Sequence, residues 1–177
     1  MNLPNKLTIL RVLMIPIIVV CLYMTESWCG IAATVFFILA CLTDFFDGYL
    51  ARSRQLVTDF GKFLDPVADK LLVLSTMIML IHLQLLPAWV VIIVLARELS
   101  VDGLRMIAAN RNTVIAAGKS GKIKTTLQMI LIISLLIFRL PSFSVWPLTV
   151  LTILVIVLTL YSGAEYFYKN YSLLSIK

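Results

Sequence analysis

From Leu71 to Ala96 the chain contains no lysine, arginine, aspartate or glutamate, a run longer than the roughly 20 apolar residues needed to cross about 30 Å of hydrocarbon. Several other apolar stretches accompany it, since 61% of the 177 residues are hydrophobic and the mean hydropathy is +1.02. That composition excludes an ordinary soluble globular domain and predicts an integral membrane protein. Backbone polar groups in lipid must be satisfied within the segment, which leaves helices for runs of this kind. The predicted fold class is all-α, a bundle of six transmembrane helices forming a single domain over residues 1–177. Its spans fall near 5–24, 30–52, 61–83, 87–109, 120–139 and 145–168. Pro87, just after Gln84, is the expected turn that divides the long neutral run. The apolar stretch from Arg11 to Met24 is followed by no small-residue cleavage site and is read as a retained helix.

With six spans, both termini and the loops around 53–60 and 110–119 share one side of the membrane. Of the 15 lysines and arginines, only Arg139 falls toward the other side. Cytoplasmic loops are enriched in these residues, so the termini and the acidic motif are expected to face the cytoplasm. Arg139 is expected at the opposite interface, where its long side chain can snorkel. The net charge of +6 is thus read as topology and not as a nucleic-acid surface. Cys21, Cys29 and Cys41 lack C-x-x-C spacing and are expected to be small packing residues.

Against this background the acids stand out. Asp44, Asp47, Asp65 and Asp69 border the apolar runs, although one bare carboxylate at the centre of a spanning helix costs roughly 2.5 to 3.5 kcal/mol. Four such groups are tolerated where they face a wet cavity and hold cations. At 100° per residue Asp44, Asp47, Gly48 and Ala51 fall within an arc of about 100°. Gly61, Asp65 and Asp69 recur every four residues at the start of the next helix. Two adjacent antiparallel helices can therefore aim four carboxylates at one cavity. The small residues let a ligand approach the backbone; tight packing between membrane helices is the alternative use of the same residues.

Oxygen ligands without histidine or cysteine favour hard cations, so Mg²⁺ or Mn²⁺ is expected over zinc. Two such ions about 4 Å apart would stabilise both the attacking and the leaving oxygen of a phosphoryl displacement. His82 lies on the same predicted helix as Asp65 but roughly 25 Å along it, too far to act as the base. An ion carrier could also use acids at membrane depth, but it has no need of the adjoining Gly48-x-x-Ala51-Arg52.

The complete pattern, Asp44-x-x-Asp47-Gly48-x-x-Ala51-Arg52 followed by Gly61-x-x-x-Asp65-x-x-x-Asp69, resembles the signature of the CDP-alcohol phosphotransferases, with every fixed position filled. The resemblance implies a six-helix, homodimeric enzyme that moves a phosphatidyl group from a CDP-linked lipid to an alcohol and releases CMP. It also implies that Asp44, Asp47 and Asp65 are metal ligands and that Asp69, beside the metals, is the catalytic general base. Asp44, Gly48, Ala51, Arg52 and Gly61 would line the CDP pocket, with Arg52 suited to a diphosphate oxygen.

Basic residues outside the signature bear on the alcohol. Arg97 and Arg105 are eight residues apart and fall within about 80° of each other on a helix; two guanidiniums on one wall suit a phosphate. Arg97-Glu98 through Arg105, the segment from Gly118 to Thr125, and the opening from Leu3 to Arg11 are similar to the bacterial branch of the family whose acceptor is sn-glycerol 3-phosphate. That similarity implies an enzyme of the bacterial cell membrane acting on CDP-diacylglycerol, with the acceptor phosphate held by Arg97, Arg105 and Lys122. Asn5, Thr8 and Arg11 are candidates to close the site from the first helix, or else they form a helix entrance with an interfacial anchor. Another acceptor, such as inositol phosphate or serine, and more remotely an intramembrane prenyltransferase, are the alternative readings.

Overall fold

A computed structural model of the chain describes residues 3–24, 26–53, 59–111, 113, 115, 118–138 and 145–171; within these the side chains at 3–4, 27, 45–53, 59–60, 62–63, 138 and 145 fall outside the description. Six helices follow in order: α1 Leu3–Tyr23, α2 Ser27–Ser53, α3 Asp59–His82, α4 Ala88–Asn110, α5 Lys119–Phe138 and α6 Val145–Lys169. Every end lies within three residues of the span expected from the sequence. No strand occurs among the described residues.

The outward faces of α1 and α2 carry stripes of large apolar side chains. Leu10, Leu13, Ile17 and Val20 line the exposed side of α1, and Trp28, Ile31, Val35, Leu39 and Leu42 that of α2. At about 1.5 kcal/mol or more for each such side chain taken out of water, these two stripes alone favour a bilayer by more than ~10 kcal/mol. Helices apolar on both faces belong in lipid. Asn5–Tyr23, Lys119–Ile137 and Trp146–Lys169 are long and apolar enough to cross a membrane, and Trp28–Asp44 is a shorter apolar helix. Many hydroxyls inside the helices are satisfied locally. Thr34, Thr76, Thr125, Thr152 and Thr159 each donate to the carbonyl four residues back, as segments without water require. The chain is an all-helical membrane protein.

Contacts divide it into two compact units, Met1–Leu86 with Ile132–Phe143, and Pro87–Leu131 with Ser144–Lys177. In the first, α1 packs on both α2 and α3. Its core is built from Met14, Ile18 and Leu22 of α1, Cys29, Ala33, Phe37 and Ala40 of α2, and Ala68, Leu72, Met77 and Leu80 of α3. All three cysteines are free thiols. At the far end of α3 the Leu85 N–H reaches back to the Leu80 carbonyl and the Gln84 N–H to that of Ile81. Gln84 takes a left-handed φ of 58° and Pro87 follows, so a Schellman cap and a proline end the helix where the sequence offers no charge to do so.

In the second unit α4 packs on α6. Val90, Val94, Val101, Leu104 and Ala108 form the buried face of α4, and Arg97 falls in that register between Val94 and Val101. Tyr166 of α6 closes a cluster with Val101 and Leu104, against which Ile115 and Phe167 pack.

Candidate active site

One face of α1 changes character along its length. Met14, Ile18 and Leu22 bury apolar bulk, whereas Asn5, Thr8 and Arg11, at the same helical spacing one to three turns earlier, are buried polar groups. Both of the acid-bearing helices meet that polar end. The Arg11 guanidinium has no exposed surface and lies 2.7 Å, Nη1 to Oδ1, from Asp44 of α2, whose side chain is 38% exposed. A buried cation without such a partner costs several kcal/mol; Asp44 supplies the charge from the wetter side. Thr8 donates its hydroxyl hydrogen to Oδ1 of Asp65 on α3, at 2.5 Å.

Thr8 and Arg11 are three residues apart, a rise of about 4.5 Å, so carboxylates from α2 and α3 are gathered onto adjoining turns of one helix. Asp69 follows Asp65 by one turn of α3. The Cys41 thiol, one turn before Asp44, lies within electrostatic reach of Asp69, Asp44 and Arg11 together. Three of the four expected acids thus share one neighbourhood. Pro66, inside α3 and next to Asp65, removes a backbone donor there and frees the carbonyl four residues back. Gly61, also on α3, is buried.

The side chains of Asp47, Gly48, Ala51 and Arg52 lie outside the described residues, as does Arg139. Among the described residues no three acid, histidine or cysteine side chains stand around a common metal position, and the trio expected as ligands includes Asp47. The donor chemistry itself fits a hard divalent cation: the carboxylates of Asp44, Asp65 and Asp69 supply oxygen alone. His82 is not part of this set. It stacks on Tyr23 at the other end of α3, with ring centroids 5.3 Å apart.

The second unit holds the basic residues expected to meet the acceptor phosphate. Glu98 is their pivot, because one oxygen, Oε1, accepts from both Lys124 Nζ at 2.6 Å and Arg97 Nη1 at 3.1 Å. The Arg97 side chain lies against two glycines: a Cβ on Gly121 would come within 3.2 Å of its Nη2, and one on Gly163 within 3.2 Å of its Cγ. Arg105 donates from Nε to the Tyr166 hydroxyl at 3.1 Å, with its guanidinium carbon 5.7 Å from the ring centroid. Arg97 and Arg105 both therefore meet α6, at Gly163 and Tyr166. Lys122 is exposed; the lysine that reaches the Arg97–Glu98 pair is Lys124.

Tyr166 and the buried position of Lys124 are contributions that the sequence reading did not single out. Lys124 could have been found from α5, where Gly121, Lys124, Gln128 and Leu131 share one helical face and the last three are buried. Tyr166 carries no comparable signal, since tyrosines are also expected at membrane interfaces.

The family model described as CDP-alcohol phosphatidyltransferase matches residues 1–161. The chain is similar to the CDP-diacylglycerol--glycerol-3-phosphate 3-phosphatidyltransferase of Bacillus subtilis (strain 168), at 43% identity covering 98% of this chain and 97% of that protein. A protein of the same name from Rickettsia felis is 44% identical over 72% of this chain and 71% of its own length. The probable phosphatidylglycerophosphate synthase of Mycobacterium tuberculosis (strain H37Rv) is 41% identical over 93% of this chain and 79% of its own length.

Proposed function

Because this chain belongs to the CDP-alcohol phosphatidyltransferase family, we propose that it transfers the phosphatidyl group of CDP-diacylglycerol to sn-glycerol 3-phosphate. The products are phosphatidylglycerol phosphate and CMP. The observation that carries this reading is the 43% identity to the Bacillus subtilis enzyme over nearly the full length of both chains. Family membership alone leaves the alcohol open; the name of that relative and the basic side chains of α4 and α5 support glycerol 3-phosphate.

Asp44, Asp47, Asp65 and Asp69 would hold divalent cations, Mg²⁺ or Mn²⁺, through oxygen alone. Positive charge held by these carboxylates would polarise the diphosphate and offset the charge of the departing CMP. Arg52 takes a diphosphate oxygen, and Gly48, Ala51 and Gly61 admit the nucleotide close to the backbone. Asp69 accepts the proton from the acceptor's hydroxyl, since no histidine is within reach. The hydroxyl oxygen then bonds to the β-phosphorus of CDP-diacylglycerol as the bond from that phosphorus to the bridging oxygen breaks. Arg97, Arg105 and Lys122 hold the acceptor's own phosphate. Tyr166 orients Arg105 by taking its Nε–H, which leaves the two Nη groups to form a fork for oxygen. The protein works as a homodimer of single-domain, six-span chains, with its termini and acids on the cytoplasmic side of the bacterial cell membrane. The placement of 14 of its 15 basic residues supports that orientation.

The test uses the purified chain in vesicles containing CDP-diacylglycerol. Labelled sn-glycerol 3-phosphate should enter the lipid fraction, stop entering when a chelator is added, and resume with Mg²⁺ or Mn²⁺. Label that never enters lipid refutes the acceptor; incorporation indifferent to chelation refutes the cations.

A further inference from the structure

Threonines inside the helices of this protein have a habitual partner. Thr34, Thr76, Thr125, Thr126, Thr152 and Thr159 all give their hydroxyl hydrogen to the carbonyl four residues back on the same helix, the acceptor nearest to hand. Thr8 departs from this. Its hydroxyl, on a residue 1% exposed, crosses from α1 to the carboxylate of Asp65, 57 residues away in sequence.

We infer that Thr8 is a positioning residue for the divalent cation site, setting the direction in which Asp65 presents its oxygens. The inference rests on the proposed reading of Asp65 as a ligand. A threonine is stiff about its first side-chain torsion because its β-carbon is branched, and burial fixes it further, so its hydroxyl is a preset donor. Once Oδ1 accepts that hydrogen, the carboxylate can no longer rotate freely, and its remaining lone pairs point where the fold directs them. Arg11, one turn along α1, holds Asp44 by an ion pair. A single helix thereby fixes carboxylates of both acid-bearing helices before a cation arrives. Hydrogen-bond partners behind metal ligands are typically worth about 10-fold to 100-fold in metal affinity.

The experiment measures Mn²⁺ binding to the purified full chain by the loss of the free-ion electron paramagnetic resonance signal, with no lipid or acceptor present. Thr8→Val keeps the shape and removes the donor, Thr8→Ala removes the donor and the bulk, and Thr8→Ser keeps the donor. Both variants without a hydroxyl should bind Mn²⁺ about 10-fold to 100-fold more weakly, while Thr8→Ser stays close to the parent. Parent-like affinity in Thr8→Val or Thr8→Ala overturns the inference, as does a Thr8→Ser variant as weak as Thr8→Val, since packing alone would then explain the loss. A parent chain that binds no Mn²⁺ overturns the reading of Asp65 as a ligand as well, which separates the two failures.

Discussion

Glu98 offers the most quantitative test of the second unit. Its Oε1 lies 2.6 Å from Lys124 Nζ, and the two side chains are only 19% and 2% exposed. At an effective dielectric constant of 20 the attraction over that distance is about 6 kcal/mol, and removing both ions from water takes back several kcal/mol for each. The intact pair is therefore near neutral against an apolar substitute. Removing one partner is a different matter, because the lysine would remain buried: Glu98→Gln should destabilise the chain by about 3 kcal/mol, the low end for a broken buried pair, since an amide oxygen can still accept. That corresponds to roughly a hundredfold change in the unfolding equilibrium. Lys124→Met alone should also destabilise, by taking from Glu98 its partner at 2.6 Å. The double variant should cost less than the sum of the two by at least about 1 kcal/mol. The assay is denaturation of the purified chain in mixed micelles, followed by circular dichroism at increasing fractions of dodecyl sulfate. Single variants costing under ~0.5 kcal/mol, the range of exposed pairs, would refute the buried pivot, and so would strict additivity.

Four further outcomes can be checked separately. Asp69→Asn should abolish CMP release while CDP-diacylglycerol still binds in an equilibrium assay; substantial turnover would remove Asp69 from its role as base. Arg105→Ala should raise the KM for glycerol 3-phosphate by about 10-fold to 100-fold, the worth of a charged hydrogen bond, and leave the KM for CDP-diacylglycerol unchanged. Tyr166→Phe, which loses only the hydroxyl that receives Arg105, should give a severalfold rise of the same kind in steady-state kinetics. Gly163→Ala should lower thermal stability more than Gly121→Ala, because the new methyl group meets Arg97 at Cγ, close to the backbone, and not at the movable Nη2.

The helices were legible because apolar runs and their breaks decide where a chain can cross lipid. Even the featureless run from Leu71 to Ala96 divides beside Pro87, between His82 and Ala88. The acids were legible because few proteins place carboxylates beside such runs without a use for them. Their partners were not, since the bonds from Thr8 to Asp65 and from Arg11 to Asp44 depend on how α1 packs against α2 and α3. Helical periodicity puts Asn5, Thr8 and Arg11 on one face but does not say which helix that face meets. Lys122 and Lys124 look alike as letters, and only the rotation of α5 separates the exposed one from the buried one. Tyr166, lying past the residues that the family model matches, acquires its place from the packing of α4 on α6.

The central claim is best tested by following phosphorus directly. Purified chain given CDP-diacylglycerol, Mg²⁺ and sn-glycerol 3-phosphate, observed by ³¹P nuclear magnetic resonance, should form CMP and phosphatidylglycerol phosphate in equal amounts, with neither product when serine or inositol phosphate replaces the acceptor. A lipid bearing one of those alcohols, or no CMP with any of them, would contradict the account.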